Sequence, residues 1–127
     1  MSRRADVTVY AYAACQTCRK ALAWLTARGV SPTVVPIVEA PPSAAALAEL
    51  IARSGLPPKK WWNTSGEAYR ELVAARGKDA IAALDAQQVA TLLAENGKRI
   101  KRPVLVTADA VLVGFDEDAY AAVFPPR

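Results

Sequence analysis

The chain has 127 residues, 53% of them hydrophobic and 22% charged, with a formal net charge of +4. That length suits one domain, read as residues 1–127, able to bury roughly two-thirds of its unfolded surface. No apolar run reaches the ~18 residues of a membrane span. The 16 lysines and arginines fall in short scattered groups, without the dense stripe of a dedicated nucleic-acid binder. Neither membrane insertion nor direct nucleic-acid binding is expected; a small anionic molecule or an acidic protein partner suits the mild positive charge.

The opening "MSRRADVTVYAY" has two arginines but no apolar export core and no small-residue cleavage site, so a cytoplasmic location is expected. Its alternation of β-branched and aromatic residues predicts a strand over about residues 7–12. From Cys15 onward, Cys18, Ala21, Leu22 and Leu25 fall on one helical face, which runs to Gly29. "TVVPIVE" reads as a second strand of buried type, with Pro36 indicating an edge or a bulge. Strand, helix and strand make a βαβ unit, right-handed by default.

Next comes "PPSAAALAELIARSG", a helix with Ser43 as its N-cap and Gly55 as its stop. "PPKKWWNTSGEAYRELVAARG" predicts a short helical turn, a break around Asn63 to Gly66, and a helix through Tyr69 and Leu72. In "LDAQQVATLLAENG", Asp85 and Gln88 stand at capping-box spacing. "RPVLVTADAVLVGF" reads as a hairpin, and "DEDAYAAVF" as a last short helix whose acidic first turn suits the helix dipole. The class is α/β. The order is that of a thioredoxin-like (glutaredoxin-like) fold with a helical insertion between its βαβ and ββα halves.

Cys15 and Cys18 are the only cysteines, in "YAYAACQTCRK", where the first strand feeds the first helix. Zinc asks for four ligands, usually Cys and His. Two cysteines and no histidine cannot close such a site without carboxylates or a second chain, so no metal site is expected. Two small core residues remain a reading, better suited to Cys18, which belongs to the apolar face. Cys15 stands one turn earlier, where unpaired backbone N–H groups and the helix dipole stabilise a thiolate, the reactive form. Residues three apart on a helix also fall within the ~4.4–6.8 Å Cα separation of a disulfide. In a reducing cytoplasm, position and spacing favour a redox or nucleophilic pair. No histidine is present to act as a base, so an arginine or lysine must help the helix terminus. Arg19 and Lys20 fall on the outer face of the helix; Arg102 is the better candidate.

The segments "VYAYAACQTCRKALAWL", "APPSAAALAELIARSGL", "WWNTSGEAYREL", "IKRPVLV" and "VGFDEDAYAAVFP" occur in the order and spacing of the arsenate reductase (ArsC)/Spx family. The chain resembles that family over nearly its whole length, most of all its arsenate-reductase-like branch. The resemblance implies a thioredoxin-like fold with a helical insertion and a reactive cysteine matching Cys15. In the family's arsenate reductases this thiolate attacks arsenate, glutathione resolves the adduct and glutaredoxin regenerates the enzyme. It further implies that Arg102 binds the oxyanion and that Pro103 follows a cis peptide bond. Glutathione is thus an expected co-substrate, glutaredoxin or thioredoxin an expected partner, and no cofactor is expected to be bound. Two departures stand out. Of three arginines around the family's thiol only Arg102 is retained, with Asn63 at one matching position and another falling near Gly114. Cys18 stands where those reductases usually carry serine. Spx, the alternative, uses a C-x-x-C as a redox switch and binds the α-subunit of RNA polymerase.

Asn63, Thr64 and Ser65 are candidates to line the thiol pocket as neutral donors for a peptide or glutathione; equally, Ser65 could cap the following helix with Gly66 easing the turn. Trp61 and Trp62 are expected to be one core anchor and one exposed ring. Tyr12, just before the cysteine loop, is explained by strand alternation and is also placed to flank the site.

Overall fold

The computed structural model describes residues 6–126. The basic group Ser2–Arg4 lies outside them. The described chain divides into two compact units: one runs to Pro36 and resumes at Arg102, and the other is Ile37–Lys101.

The first unit holds β1 (Thr8–Ala11), α1 (Gln16–Ala27), β2 (Thr33–Pro36) and, after Arg102, the β3 (Val104–Val106)/β4 (Val111–Val113) hairpin. A helix labelled α6 (Glu117–Val123) closes it. The sheet order is β2-β1-β3-β4. β1 pairs parallel with β2 and antiparallel with β3, and β3 pairs antiparallel with β4. This is the βαβ plus ββα layout of a thioredoxin-like fold. Alternation in β1 sends Val9 and Ala11 inward, joined by Leu105 of β3. The 3.6-residue period of α1 places Cys18, Ala21 and Leu25 against them, while α6 contributes Tyr120 and Phe124. Each such aliphatic side chain contributes about 1.5–3 kcal/mol when fully buried.

β2 is an edge strand, as Pro36 indicated, but it is not of the buried type. Only β1 pairs with it, and Val34 is 49% exposed. The buried residue of that segment is Ile37, just past the strand.

The second unit contains α2 (Ala44–Ser54), α3 (Glu67–Arg76), α4 (Lys78–Ala82) and α5 (Ala86–Glu95), with 3-10 turns at Pro58–Trp61 and Gly97–Arg99. Ser43 caps α2 by accepting from the Ala46 amide at 3.1 Å, and Gly55 ends the helix in the left-handed region. The capping box of α5 is complete: Asp85 accepts from the Gln88 amide at 2.8 Å, and Gln88 accepts from the Asp85 amide at 2.9 Å. Leu47, Leu50 and Ile51 of α2 and Val89, Leu92 and Leu93 of α5 are buried where the two helices pack. Gly97 is buried so tightly that an added Cβ would collide with the carbonyl group of Ile37.

Two local expectations change, and one element was not anticipated. The segment after Gly77 forms the separate helix α4, too short at 5 residues to show a period. Ser65 does not cap α3; Gly66 holds the N-cap position and the Ser65 hydroxyl turns back to Asn63 Oδ1 at 3.3 Å. Neither tryptophan is an exposed ring, since Trp61 and Trp62 are 0% and 3% exposed. Trp61 Nε1 donates to Ser54 Oγ at 3.3 Å, and the Trp62 backbone bridges to Ile100 while its ring meets Tyr69. A partner for the indole N–H and for the backbone lets each ring enter the interior.

Candidate active site

The site begins where β1 ends. The chain turns through Tyr12, Ala13 and Ala14, and the Cys15 amide donates back to the Tyr12 carbonyl at 2.9 Å. Cys15 is then the N-cap of α1, with extended backbone and no side-chain capping bond, and the first turn carries no acidic residue. Its thiol is half-buried. The first-turn N–H groups of α1 therefore lie next to sulfur instead of a carboxylate. One turn on, Cys18 is 1% exposed, inside the core cluster. The Tyr12 amide donates to its sulfur at 3.5 Å.

These surroundings pull the two thiols apart. Burial works against the Cys15 thiolate, but hydrogen bonds from the Cys18 backbone, the Cys18 thiol and Arg102, together with the Arg102 charge, outweigh it and hold Cys15 below the usual thiol value. Burial pushes Cys18 up to about 11; the Tyr12 amide opposes this, and the neighbouring Cys15 adds to it. The result is a front sulfur whose thiolate form is favoured and, behind it, a thiol held in its protonated form. Both are free thiols.

Arg102 reaches the site from the segment before β3. Its guanidinium stacks 4.8 Å from the centre of the Tyr12 ring and hydrogen-bonds to Cys15. The Arg102–Pro103 peptide bond is cis, as the resemblance implied, and Pro103 is buried with its carbonyl accepting from the Gly114 amide at 2.8 Å. Gly114 has φ +80°, a left-handed conformation that strains any side chain-bearing residue. A family arginine placed there would carry that strain. Arg19 is exposed, as its place on the outer face indicated, and its Nε donates to the Ala13 carbonyl at 3.1 Å.

Cys15, Cys18, Arg102 and Pro103 thus come together in the first unit. Asn63, Thr64 and Ser65 form a turn of their own in the second. The Asn63 amide donates to the Arg99 carbonyl at 2.8 Å and its side-chain Nδ2 to the Lys98 carbonyl at 3.4 Å. Tyr12 contributes more than alternation suggested, since it lies just beyond β1 and supplies an amide, a carbonyl and a ring to the two cysteines and Arg102. A residue that the sequence reading missed is Tyr120. Its hydroxyl is buried without a hydrogen-bond partner among the described residues, and burial, with the nearby Cys18, raises its pKa. Its ring meets Trp24 and Phe115 edge-on, at 5.7 and 4.8 Å between centroids. The sequence reading placed it only within the last short helix.

The ArsC family model matches residues 10–123. The chain is 41% identical over 115 residues to the uncharacterized protein YusI of Bacillus subtilis, covering 91% of this chain and 95% of that one. An arsenate reductase of Escherichia coli is 30% identical over 102 residues, 80% of this chain and 69% of its own length. Among solved structures, a putative ArsC family related protein from Bacteroides fragilis superposes with a TM-score of 0.85 at 37% identity, over 93% of this chain and 97% of that one. The chain belongs to the ArsC family. Its fold is arsenate reductase-like, and no helix among the described residues is long and apolar enough to cross a membrane.

Proposed function

We propose that the chain is a cytoplasmic dithiol oxidoreductase in which Cys15 is the nucleophile and Cys18 the resolving thiol. The observation that carries this reading is the N-cap placement of a half-buried Cys15 beside Arg102, with the protonated Cys18 thiol directed at it. The Cys15 thiolate attacks one sulfur of a substrate disulfide, forming a mixed disulfide and releasing the other sulfur as a thiolate. Cys18 then loses its proton to that leaving group or to solvent and attacks the Cys15 sulfur. This closes the Cys15–Cys18 disulfide and releases the second substrate thiolate. Two electrons have moved from the protein to the substrate, and two glutathione molecules, or a glutaredoxin or thioredoxin dithiol, return them. Arg102 supports the charge on Cys15 in both steps and offers a forked donor to an anionic group of the substrate. Arsenate is a weak substrate in this reading. One arginine supplies fewer charge-assisted hydrogen bonds than three, each worth about 1.5–3 kcal/mol.

Global transcriptional regulators named Spx also align with most of this chain. That relationship supports a second reading, in which the same cysteine pair switches a surface that binds the RNA polymerase α-subunit.

The test compares parent, Cys15→Ser and Cys18→Ser proteins in thiol–disulfide exchange with oxidised glutathione, and in arsenate reduction. The expected outcome is no turnover for Cys15→Ser and an accumulated glutathione adduct on Cys15 in Cys18→Ser, seen by mass spectrometry. Equal rates in Cys15→Ser and parent reject the proposal. Redox-dependent capture of the polymerase α-subunit by a protein without turnover replaces it with the second reading.

A further inference from the structure

Four of the chain's six lysines line one cavity of the second unit, and this arrangement lies outside the thiol chemistry. Lys59 and Lys60 come from the Pro58–Trp61 turn, Lys78 opens α4, and Lys101 follows the Gly97–Arg99 turn. Three separate segments therefore bring lysines to the wall of the same hollow, and no carboxylate-bearing residue lines it. None of the four lysines forms an ion pair among the described residues. Gathering like charges is unfavourable by itself, and an anion seated between them relieves it.

The rest of the wall is not anionic-site surface but ring and hydrocarbon. Trp62 and Tyr69 stand 5.7 Å apart between centroids with their planes tilted by 47°, and Ile81 adds an aliphatic side. Trp62 is a fixed floor because its backbone is bridged to Ile100 and its side chain is buried. The Thr64 hydroxyl adds a neutral donor. The volume is about 380 Å³. That is near the small end of the ~300–1,000 Å³ range of small-molecule sites, which favours a compact ligand over an extended acidic peptide.

We propose that the second unit binds a small organic phosphate with an aromatic body, its charge held by Lys59, Lys60, Lys78 and Lys101 and its ring set against Trp62 and Tyr69. A nucleoside diphosphate has both parts. Lysine binds phosphate as a compact, rotatable point charge, so four of them tolerate more than one phosphate geometry. The apolar wall makes ring burial a second source of affinity, which separates this site from a simple counter-ion patch. The site does not depend on the reading of Cys15 and Cys18.

The test titrates the full chain with ADP, adenosine and inorganic tripolyphosphate, by calorimetry and by the assigned Trp62 indole signal in NMR. Saturable ADP binding that shifts this signal is expected, with adenosine and tripolyphosphate each weaker by about tenfold or more, since each lacks one of the two parts. Lys60→Glu and Lys101→Glu, both at exposed positions, are each expected to weaken ADP by about tenfold while thermal melting is unchanged. The Cys15→Ser protein is expected to bind ADP like the parent. The proposal is overturned by three results: no saturable ADP binding up to about 10 mM, tripolyphosphate binding as well as ADP without moving the Trp62 signal, or an acidic peptide binding more tightly than ADP. Unchanged ADP affinity in both lysine variants overturns it as well.

Discussion

Two helix starts in this molecule solve the same problem in opposite ways. At α5, Asp85 and Gln88 exchange hydrogen bonds and satisfy two of the terminal amides. At α1, the N-cap is Cys15, no side chain closes the turn, and no acidic residue offsets the positive end. The first start is built for stability, with its dipole neutralised by a permanent carboxylate. The second leaves that field to act on a group whose charge is conditional, so the stabilisation goes to the thiolate, the form in which a cysteine is nucleophilic. The difference teaches that an incomplete cap can be the useful one.

The comparison breaks most completely if α1 is given the α5 solution. Cys15→Asp is expected to stabilise the start of α1 by about 1 kcal/mol, read as a higher melting temperature, while thiol exchange falls to background. A variant that keeps measurable exchange would place the nucleophile elsewhere. Removing the cation is the next largest change. In Arg102→Ala the Cys15 thiolate loses a hydrogen bond and a charge. Because the lowered pKa makes Cys15 reactive at lower pH than an ordinary thiol, its alkylation profile is expected to move to higher pH. The rate near neutrality should then fall, because a smaller fraction of Cys15 is thiolate there. A profile identical to the parent's would assign the lowering to the helix start and Cys18 alone. The smallest effect is at the satisfied end. Asp85→Ala is expected to cost about 1 kcal/mol in urea denaturation and to leave the Cys15 alkylation profile unchanged. The two helix starts lie in different units, which makes this an internal control.

Much of this was legible from short-range pattern. Period-2 alternation marked β1, two apolar runs around a polar turn marked the β3/β4 hairpin, and the capping residues Ser43 and Asp85 announced their helices, because these features are encoded within a few residues. Cys15 could be set at the start of α1 because Cys18, Ala21 and Leu25 continue one face from it. What escaped depends on distance along the chain or on brevity. α4 has no room for a period. Lys59, Lys60, Lys78 and Lys101 read as ordinary surface charges until the fold gathers them around one hollow. One of Trp61 and Trp62 was expected to face water, and the backbone partner that draws Trp62 inward, Ile100, is 38 positions away. The exposure of β2 was hidden by its composition, since "TVVPIVE" suits a central strand as well as an edge.

Gly97 shows how such distant relations constrain change. The carbonyl group of Ile37 occupies the volume where any other residue would carry its first side-chain carbon. Position 97 is therefore tied to the path of the backbone at 37, whatever side chain stands there. A library that diversifies position 97 on the parental backbone is expected to recover glycine, and a larger residue can enter only where the segment at Ile37 withdraws that carbonyl.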